Sequence, residues 1–595
     1  DLHRAEINAI RVQYEKFNDL LEEALENVEP DPDTDDDDDV DEDEIEGTTS
    51  DNQMWAFYDP EREARFMESD IGPDLGMDVE RYGTEVDNRD FRMSDEDYAA
   101  HMQKLNVKQY ELVSHVVEQL MWDEDQMCIF LEGGAGVGKT MCARGLHETI
   151  RRFYSTQPGE CADMVPVMVL APTGMAAYHI QGNTIHSGLH IPINQGEMNP
   201  LGSSELNTLR CKYNNVKVVF IDEISMVGSQ LFIKIDQRLQ QIFGCRKFCG
   251  GLHVIAVGDF LQMKPVKDLY IFKNVSSSCQ VLAPNLFLDN FQMFTLDEIM
   301  RQQGQVEFCA ALNRLRVGEM TPEDHAMFES RIIEKTSPDY KPNVRHVYPL
   351  KNSVRAHNTQ VFNNCQEEKT TVHAHHTITG NPNPMARIKA LTTVEKSAYY
   401  IEINCLLRDL DLGVGLIYGV SCNLNTEDGL INGAECVLKM IEYRQDEVRP
   451  DQQHVAILWV EFSDAMIGRQ RRSRYKNLYK ADVHQQTWTP IFAVKRQAVI
   501  CQTTTIRQQF PLRPSAGTTI HKCQGCSFSN VCVDMDITTS ETFKKYPKKA
   551  KPHLMHSHYV AASRATSLEG LQIVNWNADL INQSPEVLDM MKDMR

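Results

Sequence analysis

The amino-acid sequence predicts an α/β fold with two parallel-sheet domains, and three observations indicate it. Between about residues 105 and 294, apolar strand-like runs alternate with helical patterns, as expected for a parallel sheet covered by helices. Strand-like runs recur at 345–350, 531–535 and 571–574, which predicts a second α/β domain. Between about 433 and 501 the pattern changes to short β-like runs separated by turns, which predicts a small inserted β-barrel-like domain.

The composition is that of a soluble globular protein with room for two to four domains. The chain has 595 residues, of which 42% are hydrophobic and 24% charged. No apolar run approaches the 18 residues that a membrane-spanning helix needs. The 16 cysteines lack the paired spacing of metal ligands, and many unpaired cysteines predict a reducing compartment, the cytosol or the nucleus. The one C-x-x-C pair, Cys523 and Cys526, has no second pair, and the cluster of His373, His375 and His376 leaves a metal site as an alternative to an ordinary loop.

The first 100 residues predict a helix followed by a linker. Apolar residues recur at alternating spacings of three and four over residues 1–28, which predicts an amphipathic helix that docks on another surface. Residues 29–100 are acidic and turn-rich, and predict a largely disordered linker. The run from Glu29 to Glu46 holds 13 acidic residues and no Lys or Arg, about half of the net charge of −25. A role of this run in protein interaction or in mimicry of DNA stays open, and the start at Asp1 predicts a piece of a longer polypeptide.

A glycine-rich loop follows the apolar run 127–131 and matches the pattern G-x-x-x-x-G-K-[ST]. Its glycines let the backbone turn tightly, so that successive N–H groups face a phosphate chain. Lys139 reaches the outer phosphates, the Thr140 hydroxyl can bind Mg²⁺, and a helix over about 140–152 places its positive end beneath the anion. The pattern therefore predicts a nucleoside triphosphate site. The residues predicted to form it are Gly133, Gly134, Ala135, Gly136, Val137, Gly138, Lys139 and Thr140.

Two further strand ends complete this predicted site. The apolar run 216–221 ends in Asp222 and Glu223, as expected for a buried parallel strand with two carboxylates at its tip. At such sites the Asp holds Mg²⁺ and the Glu orients or deprotonates the attacking water, so the pair favours hydrolysis over phosphoryl transfer to a metabolite. A third strand, 253–257, is followed by Gln262, which is suited to sensing the γ-phosphate.

Eight sequence blocks lie in a fixed order between about residues 101 and 580. They are Leu105–Gln109 (Q motif), the glycine-rich loop, Ala171–Ala177 with Thr184–Ser187 (motif Ia), Ile221–Met226 (motif II), Gly258–Gln262 (motif III), Arg301-Gln302 (motif IV), Thr519–Gly525 (motif V) and Tyr559–Ala565 (motif VI). In this order they resemble the Pif-type (petite integration frequency) DNA helicases of superfamily 1. The resemblance implies two RecA-like domains with ATP and Mg²⁺ in the cleft between them. It also implies ATP-driven 5′→3′ movement on single-stranded DNA and unwinding of duplex DNA.

The resemblance implies roles for individual residues. Gln109 would read the adenine ring, Gly525 would contact the nucleotide, and arginines of motifs IV and VI would act across the cleft as charge-stabilising fingers. The implied catalytic set is Lys139, Asp222, Glu223, Gln262, Arg301 and Arg564, with Thr140 and Asp222 as the Mg²⁺ ligands. Single-stranded DNA would contact Thr173, Met175, His186 and Ser187 in the first domain and Thr519, His521 and Lys522 in the second.

The blocks and the changes of pattern together predict the domain boundaries. The N-terminal helix and the acidic linker precede the first domain, and the β domain interrupts the second. The predicted segments are 1–28, 29–100, the first RecA-like domain at 101–295, the second RecA-like domain at 296–432 and 502–595, and the inserted β domain at 433–501.

Two positions depart from the family pattern. After the motif III Gln the family usually has Leu and then paired prolines, whereas this chain has Met263, Lys264 and Pro265 after Gln262. Motif V usually has Ser where this chain has Cys523. Neither change removes a phosphate, metal or water contact, so we expect hydrolysis to be retained.

A narrower resemblance is to the helicase part of Helitron rolling-circle transposases. The stretches Asn423–Gly433 and Trp488–Ile491 are similar to that branch, as is the order of amphipathic helix, acidic tether and helicase. This resemblance implies an upstream replication-initiator nuclease domain in the same polypeptide. No site of such a nuclease is visible in this sequence.

Several alternatives stay open from the sequence. The basic runs 469–476 and 544–549 are interleaved with tyrosine, so that they either extend a DNA track or form solvated loops. An ATPase scaffold that does not unwind is a second hypothesis, which the intact Lys139 and Glu223 disfavour, and an RNA translocase is a third. We expect single-stranded and forked DNA as partners and a nuclear location, with a role in transposition, recombination, repair or telomere and genome maintenance.

Overall fold

The computed structural model describes residues 93–594 apart from internal gaps. The gaps are 123–124, 157–164, 193–197, 267, 275–284, 299, 301–305, 380–383, 397–401, 427, 446–452, 481–482, 502, 539, 541–542 and 544–553. The predicted helix 1–28, the linker as far as residue 92, Arg301 and the basic run 544–549 therefore lie outside the described residues. Within the described part of the chain, no helix has the length and apolar character that a membrane crossing requires.

Six strands of the first domain form one parallel sheet. They are β1 (Cys128–Gly133), β2 (Val167–Ala171), β3 (Asn183–Thr184), β4 (Val218–Ile221), β5 (His253–Gly258) and β6 (Gln292–Leu296). The order across the sheet is β3-β2-β4-β5-β1-β6, and every pairing is parallel. The central strands β1, β4 and β5 are buried almost throughout, as expected for a parallel sheet covered on both faces. The α/β pattern predicted for this region is confirmed.

Helices pack on both faces of this sheet. Successive residues of β1 enter different clusters, since Phe130 packs in one core cluster while Ile129 and Leu131 pack in the other. The two apolar layers explain why the strand reads as a continuous apolar run. The helices of this region are α1 (Asp95–Met102), α2 (Val107–Trp122), α3 (Lys139–Ser155), α4 (Gly174–His179), α5 (Ile185–Gly188), α6 (Ser203–Tyr213) and α7 (Ser229–Phe243).

Helix α1 spans the predicted boundary at residue 100, so the last residues of the segment predicted as a largely disordered linker are helical. The Ser94 hydroxyl accepts a hydrogen bond from the backbone of the first turn and caps the helix. The hydroxyls of Tyr98 and Thr149 are 2.8 Å apart, which joins α1 to α3. The guanidinium of Arg152 lies over the Tyr98 ring and binds Asp95. Capping and packing on α3 therefore order the last residues of this segment.

The second domain begins after the first sheet. Its first elements are α8 (Val306–Val317), α9 (Pro322–Glu329), β7 (Arg345–Tyr348) and α10 (Lys351–Asn364). Helix α9 carries a capping box, in which Thr321 and Asp324 each accept a backbone hydrogen bond from the other. The strand predicted at 345–350 is confirmed as β7.

A mainly antiparallel region then interrupts the second domain. Its elements are β8 (Lys369–His373), β9 (His375–Ile378), α11 (Pro384–Lys396), β10 (Glu402–Ile403), β11 (Leu406–Leu407), β12 (Asp409–Gly413), β13 (Ile417–Val420), β14 (Glu435–Gln445), β15 (Gln453–Phe462), α12 (Arg469–Arg474), β16 (Thr489–Ile491), β17 (Val494–Ile500), β18 (Thr503–Gln509) and β19 (Leu512–Pro514). We call residues 369–514 the β region. Its largest sheet has the order β16-β15-β14-β13-β19.

The β region is larger than the insert predicted at 433–501. Strands β13 and β19 pair with each other and lie on either side of the predicted limits, because a sheet is completed by strands distant in sequence. The second domain's first part therefore ends before residue 369 rather than at 432. The predicted barrel-like form is also wrong for the described residues, where β16 and β19 stay at opposite edges of an open sheet.

The chain then returns to the second domain and completes a parallel sheet. The returning elements are β20 (Gly517–Thr519), β21 (Val531–Asp534), α13 (Ser557–Ala562) and β22 (Leu571–Val574), followed by α14 (Pro585–Asp593). The sheet order is β20-β7-β21-β22, with all pairings parallel. The strands predicted at 531–535 and 571–574 are therefore confirmed.

Helix α14 packs on the first domain, although the sequence predicted all of 502–595 in the second. Val587, Met590 and Met591 are buried in a core cluster of the first domain, together with Phe287 and Phe291. The apolar face of α14 accounts for this position, because it finds its complementary surface on the first sheet's covering layer. The C-terminal helix therefore connects the two domains.

Candidate nucleotide site and nucleic-acid interface

The glycine-rich loop leaves β1 and enters α3. Gly136 and Gly138 have positive φ angles of 79° and 77°, which favour glycine at both positions. A Cβ atom on Gly133 would lie 2.9 Å from the carbonyl oxygen of Leu296, so a side chain there would collide with the neighbouring strand β6. The loop therefore has the tight backbone that the sequence pattern predicted.

The two polar side chains of the loop stand at the start of α3. Lys139 Nζ donates hydrogen bonds to the carbonyl oxygens of Gly133 and Gly134, at 2.6 and 3.0 Å. Thr140 follows at the first turn of the helix and is exposed. Both side chains therefore lie where the loop and the N-terminus of α3 can bind phosphate.

Gln109 of the Q motif is fully buried behind this loop. Its Nε2 atom donates to the carbonyl oxygen of Val137 at 3.0 Å, and its Oε1 atom accepts from the backbone of Asn106. A Cβ atom on Gly138 would lie 2.7 Å from the same Nε2 atom. The carboxamide that the resemblance assigned to adenine therefore also holds the backbone of the phosphate loop.

Motif IV begins against the same loop. The backbone N–H of Met300 donates to the carbonyl oxygen of Gly136 at 2.9 Å. Asn106 donates to the Met300 sulfur at 3.2 Å. Arg301 is the next residue, so the chain enters motif IV beside the loop, while the position of the Arg301 guanidinium lies outside the described residues.

Asp222 and Glu223 follow β4, as the sequence predicted. Burial and the neighbouring Glu223 raise the pKa of Asp222 from 3.8 to about 7. Glu223 has a φ angle of 48° and one buried carboxylate oxygen, Oε2, without a hydrogen-bond partner among the described residues. Two adjacent, partly buried carboxylates, one with a buried oxygen that has no partner among the described residues, form an acidic site that favours a cation or a water molecule.

These donors fit the Mg²⁺ ion that the family resemblance implies. Mg²⁺ is usually bound through one or two protein oxygens and completed by phosphate oxygens and water. The Thr140 hydroxyl and the Asp222 carboxylate provide such oxygens, and the raised pKa of Asp222 indicates that nearby positive charge is needed to keep it ionised. Within the described ranges, no group of three or more His, Cys, Asp or Glu residues forms a separate metal site, at the His373–His376 cluster or elsewhere.

Motif III places Gln262 between the two domains. Gln262 is buried, and its Oε1 atom has no hydrogen-bond partner in the described part of the chain. The next residue, Met263, packs in the core cluster of the second domain with Val347, Val560 and Ile573. Met263 therefore makes an apolar contact across the domain boundary, at a position where the family usually has another residue.

Motif V approaches Glu223 from the second domain. A Cβ atom on Gly525, which has a φ angle of 79°, would lie 3.6 Å from Oε1 of Glu223. The thiol of Cys523 is buried and donates to the carbonyl oxygen of Ile520 at 3.3 Å. Burial raises the pKa of Cys523 to about 12, so the thiol keeps its proton and substitutes for the hydroxyl of the usual Ser.

Arg564 of motif VI is buried within its own domain. Its Nη1 atom donates to the carbonyl oxygens of Cys523 and Cys526 at 3.3 and 2.9 Å, and its Nε atom donates to Val560 at 2.9 Å. Nη2 donates to the hydroxyl of Ser563. The structure therefore places the predicted finger behind motif V, where it binds carbonyl oxygens of the loop that approaches Glu223.

A second buried arginine, Arg316 on α8, was missed by the sequence analysis. It forms an ion pair with Asp259 of motif III at 2.8 Å and another with Glu132, the residue directly before the glycine-rich loop. Tyr559 of motif VI donates its hydroxyl proton to Asp259 at 2.8 Å. A signal was present in the sequence, because Glu132 and Asp259 end buried apolar strands, and buried carboxylates need partners.

The predicted DNA contacts of the first domain follow β2 and β3. The Thr173 hydroxyl caps α4, and Ser187 is exposed at the end of α5. His186 binds the carbonyl oxygen of Ile191 at 3.1 Å, and burial lowers its pKa, which favours the neutral ring. Met175 lies against Gly433 of the β region, so this part of the predicted track borders that region.

The predicted DNA contacts of the second domain follow β20. Thr519 is buried and its hydroxyl accepts from the backbone of Lys522, whereas the Lys522 side chain is exposed and His521 is half-buried. These residues and those of motif Ia follow the carboxyl ends of strands in two parallel sheets. That edge is where open α/β sheets bind their ligands.

The basic run 469–476 is partly structural. Arg471 stacks on Tyr475 and Phe492, and Arg472 donates to the carbonyl oxygen of Ile467 at 2.7 Å. Other basic side chains of the run, such as Arg469, are exposed. The run therefore combines packing of α12 with exposed charge.

Comparison with known proteins finds one family whose model matches the part of the chain that carries this site. Residues 104–326 match the model of the PIF1-like helicase family. The chain is 25% identical over 508 residues to the ATP-dependent DNA helicase PIF1 of Emericella nidulans, covering 81% of this chain and 62% of that protein. It is 24% identical over 473 residues to the human protein of the same name, covering 78% of this chain and 61% of the relative. The chain therefore spans about three fifths of the length of these two relatives.

Solved structures share the fold. The crystal structure of Pif1 helicase from Candida albicans covers 82% of this chain, with a TM-score of 0.55, 23% identity and 99% of its own length aligned. The Pif1 helicase from Bacteroides in complex with ADP-AlF3 and single-stranded DNA covers 81% of this chain, with a TM-score of 0.55, 20% identity and 96% of its own length aligned. Both support the two RecA-like parallel sheets described above.

Proposed function

We propose that this chain, a member of the PIF1-like helicase family through residues 104–326, is an ATP-dependent DNA helicase that moves 5′→3′ on single-stranded DNA. The observation that carries the proposal is the composite site. The first domain contributes the glycine-rich loop, the Asp222-Glu223 pair and Gln262, and motif V of the second domain approaches Glu223 at Gly525. Hydrolysis at a site divided between two domains can be converted into relative motion of those domains.

The residues of the site suggest a division of labour. The loop N–H groups and Lys139 bind the phosphates, and Glu223 orients and activates the attacking water. Mg²⁺, bound by Thr140 and Asp222 together with the phosphates, would neutralise charge on the transferring group. Gln262 would report the γ-phosphate to the second domain through Met263, which packs there. Arg301 is proposed as the direct finger, and Arg564 as a residue that acts at least in part through motif V.

Single-stranded DNA is the proposed track. Thr173, Met175, His186 and Ser187 face it from the first domain, and Thr519, His521 and Lys522 from the second. Solved structures of a Bacteroides Pif1 helicase with single-stranded DNA and of two coordinating Pif1 helicases at forked double-stranded DNA support forked DNA as a further substrate. Contacts to phosphate and base faces rather than base edges would make the movement independent of sequence.

Two alternative functions differ in one measurable property each. An RNA translocase would use the same cleft but prefer an RNA strand, and a scaffold would hydrolyse ATP without separating strands. One buried oxygen of Glu223 has no hydrogen-bond partner among the described residues, which favours an enzyme over a scaffold, because a carboxylate oxygen with no protein donor can bind and activate water.

The wider biology is proposed from resemblance. Similarity of Asn423–Gly433 and Trp488–Ile491 to Helitron transposases supports a transposon helicase with an upstream initiator nuclease in the same polypeptide. A family role in recombination, repair or telomere maintenance is the alternative. A nuclear location is proposed with either role, because many unpaired cysteines indicate a reducing compartment. Sequencing of the transcript upstream of Asp1 distinguishes them.

The test is unwinding of matched forked and tailed duplexes. With ATP and Mg²⁺, the full chain should separate a 5′-tailed DNA duplex and leave a 3′-tailed duplex intact. Glu223→Gln and Lys139→Ala should abolish turnover, because each removes a group that acts on the reacting phosphate. Glu329→Gln is the matched control, since it removes an exposed carboxylate on α9. Unwinding of the 3′-tailed substrate would overturn the polarity, preference for an RNA tail would favour the RNA translocase, and hydrolysis without strand separation would favour the scaffold.

A further inference from the structure

We propose that Arg316 is a positioning residue that couples the nucleotide site to the second domain, through a buried joint formed with Glu132, Asp259 and Tyr559. The proposal rests on the helicase function proposed above. It assigns the joint the task of transmitting the state of motif III across the cleft. We call these four residues the interdomain joint.

Two members of the joint belong to the first domain and flank the nucleotide site. Glu132 lies near the end of β1, directly before Gly133 of the phosphate loop. Asp259 follows β5 and precedes Gln262 by three residues. Both carboxylates are completely buried. A movement of either one is therefore carried directly into the backbone that faces the phosphates.

The other two members belong to the second domain. Arg316 ends α8 and Tyr559 lies on α13, and these helices pack on each other in the second core cluster. Arg316 binds Asp259 through Nε at 2.9 Å and Nη2 at 2.8 Å, and the same Nη2 atom binds Glu132. The Tyr559 hydroxyl donates to the second Asp259 oxygen at 2.8 Å. One guanidinium is therefore shared by two carboxylates from different strands of the other domain.

The geometry restricts how the domains can move. A buried carboxylate that loses its cation is strongly disfavoured, so the joint is stable only when both domains are in the matching arrangement. Inside motif III, the Asp259 carboxylate accepts a hydrogen bond from Leu261 N–H at 3.0 Å, and its carbonyl accepts from Gln262 N–H at 3.0 Å. A displacement of Gln262 is thus linked through one short turn to Arg316.

The same helix contains a matched ion pair that does not cross the cleft. Arg314 binds Asp324 at 2.7 Å through both Nε and Nη2, and both residues belong to the second domain. Asp324 is buried like Asp259. The Arg314 side chain is 41% exposed, whereas that of Arg316 is 9% exposed. Replacing Arg314 therefore weakens an ion pair of the same helix without touching the first domain.

Protonation of the joint gives a second readout. Burial raises the pKa of Asp259 to about 6, and the hydrogen bond from Tyr559 acts in the opposite direction. Below that pH the carboxyl is neutral and its ion pair with Arg316 is lost. Removing the Tyr559 hydroxyl should raise the pKa of Asp259 further, so that the ion pair and the coupling it provides are lost at a higher pH. Among the described residues, the charged or titratable groups that face Asp259 are Lys139, Glu223, Arg316 and Tyr559. Those that face Arg316 from the other side are Glu132 and His556.

The experiment compares Arg316→Lys, Tyr559→Phe and the control Arg314→Lys in the full chain. Three quantities are measured, which are ATP turnover with and without single-stranded DNA, base pairs separated per ATP, and the pH dependence of that yield. We expect Arg316→Lys to lower both the DNA stimulation and the base pairs per ATP by about tenfold, in the range of measured coupling between sites. Tyr559→Phe should lower the DNA stimulation and the base pairs per ATP by a smaller factor, and should raise the pH below which the yield per ATP falls. Arg314→Lys should leave both the DNA stimulation and the base pairs per ATP unchanged.

The outcomes separate the two proposals. If Arg316→Lys does not fold, Tyr559→Phe carries the test, because it removes a single hydroxyl. Unchanged ratios in the folded joint variants, or an equal loss in Arg314→Lys, would overturn the coupling role. A wild-type chain that neither hydrolyses ATP nor unwinds DNA would overturn the helicase function and the joint together. A wild-type chain that unwinds, with variants that match it, would overturn the joint alone.

Discussion

Two buried arginines of the second domain, Arg564 and Arg316, have opposite relations to the cleft. The guanidinium of Arg564 donates to backbone carbonyls and a hydroxyl of its own domain. Arg316 binds carboxylates of the other domain instead. Both residues are equally well buried, at 7% exposure.

The difference shows what a sequence motif specifies. Motif VI predicts that Arg564 is functional but does not predict its partners. Those partners are neutral backbone carbonyls, which any nearby loop provides. Arg316 occurs outside the eight blocks, but its partners are two charged residues of the first domain. A charge that must be neutralised determines the position of its partner more strictly than a carbonyl does. The interdomain contact therefore depends on a residue that the motifs did not mark.

The largest expected effect is that of Arg564→Ala. Loss of the guanidinium should lower ATP turnover by about 10²–10³-fold, as for other groups that stabilise transition-state charge or hold its ligands. We also expect weaker binding of single-stranded DNA, because the carbonyls of Cys523 and Cys526 lose their donor and motif V carries Lys522. Turnover and fluorescence anisotropy measure the two effects.

Arg331→Ala is the matched control for this variant. Arg331 donates to the carbonyl oxygens of Leu571 and Glu569 within the second domain, away from motif V. Unchanged DNA affinity in Arg564→Ala would show that Arg564 acts only on phosphate. The contrast with Arg316 would then disappear, since both would act across the cleft.

A second prediction concerns the apolar contact beside the joint. Met263→Ala should lower the free energy of unfolding by about 2–5 kcal/mol, because it leaves a cavity in the second core cluster. Urea denaturation followed by circular dichroism measures it. Met466→Ala is the control, since Met466 is 56% exposed in the β region. A change no larger than that of the control would mean that Met263 does not join the domains.

A third prediction separates two carboxylates by pH. Because the pKa of Asp222 is raised to about 7, a proton competes with Mg²⁺ there, and the apparent Mg²⁺ affinity should fall about tenfold from pH 8 to pH 6. The pKa of Asp222 is higher in the folded protein than its ordinary value of 3.8, so the folded state holds a proton that the unfolded state has lost. The free energy of unfolding of the Mg²⁺-free protein should therefore fall as pH rises from about 4 to 7. Mg²⁺ titration of turnover at each pH measures the affinity.

Tyr559→Phe sharpens this prediction. It should raise the pH at which the base pairs separated per ATP begin to fall, which depends on Asp259. It should leave the pH dependence of the Mg²⁺ affinity, which depends on Asp222, unchanged, because the Tyr559 hydroxyl contacts only Asp259 of the two. An Mg²⁺ affinity independent of pH would contradict the assignment of Asp222 as the metal ligand.

The smallest expected effect is that of removing the N-terminal segment up to α1. A third arginine, Arg152, binds Asp95 and the Tyr98 ring of α1. Deleting residues 1–92 removes the acidic run and keeps this contact, so the melting temperature should not change. Binding of single-stranded DNA should be equal or up to about twofold tighter at low salt, where a nearby polyanion competes most strongly. Anisotropy across a salt series measures the affinity.

Deleting residues 1–102 removes α1 as well. This second truncation should lower the melting temperature, because Arg152 loses Asp95 and the Tyr98 ring and α3 loses its cover. Much weaker DNA binding by the shorter truncation at every salt concentration would show that the acidic segment belongs to the DNA site.

The sequence by itself determined the first domain and the candidate nucleotide site. The glycine-rich loop, Asp222-Glu223 and Gln262 could be predicted because each is local, being a strand end joined to a turn or a helix start with few alternatives. The strands β7, β21 and β22 could also be predicted, because each is a short apolar run. The fold class followed from their alternation with helices.

Only the tertiary structure decided the features that join distant segments. The β region extends beyond 433–501 because β13 and β19 complete one sheet, and α14 crosses to the first domain because its apolar face fits there. The role of Arg564 behind motif V and the contact of Arg316 with Glu132 and Asp259 depend on how two domains face each other. Local propensity carries no information on that arrangement, since the free energy that fixes it comes from burial and charge pairing between residues far apart in the chain.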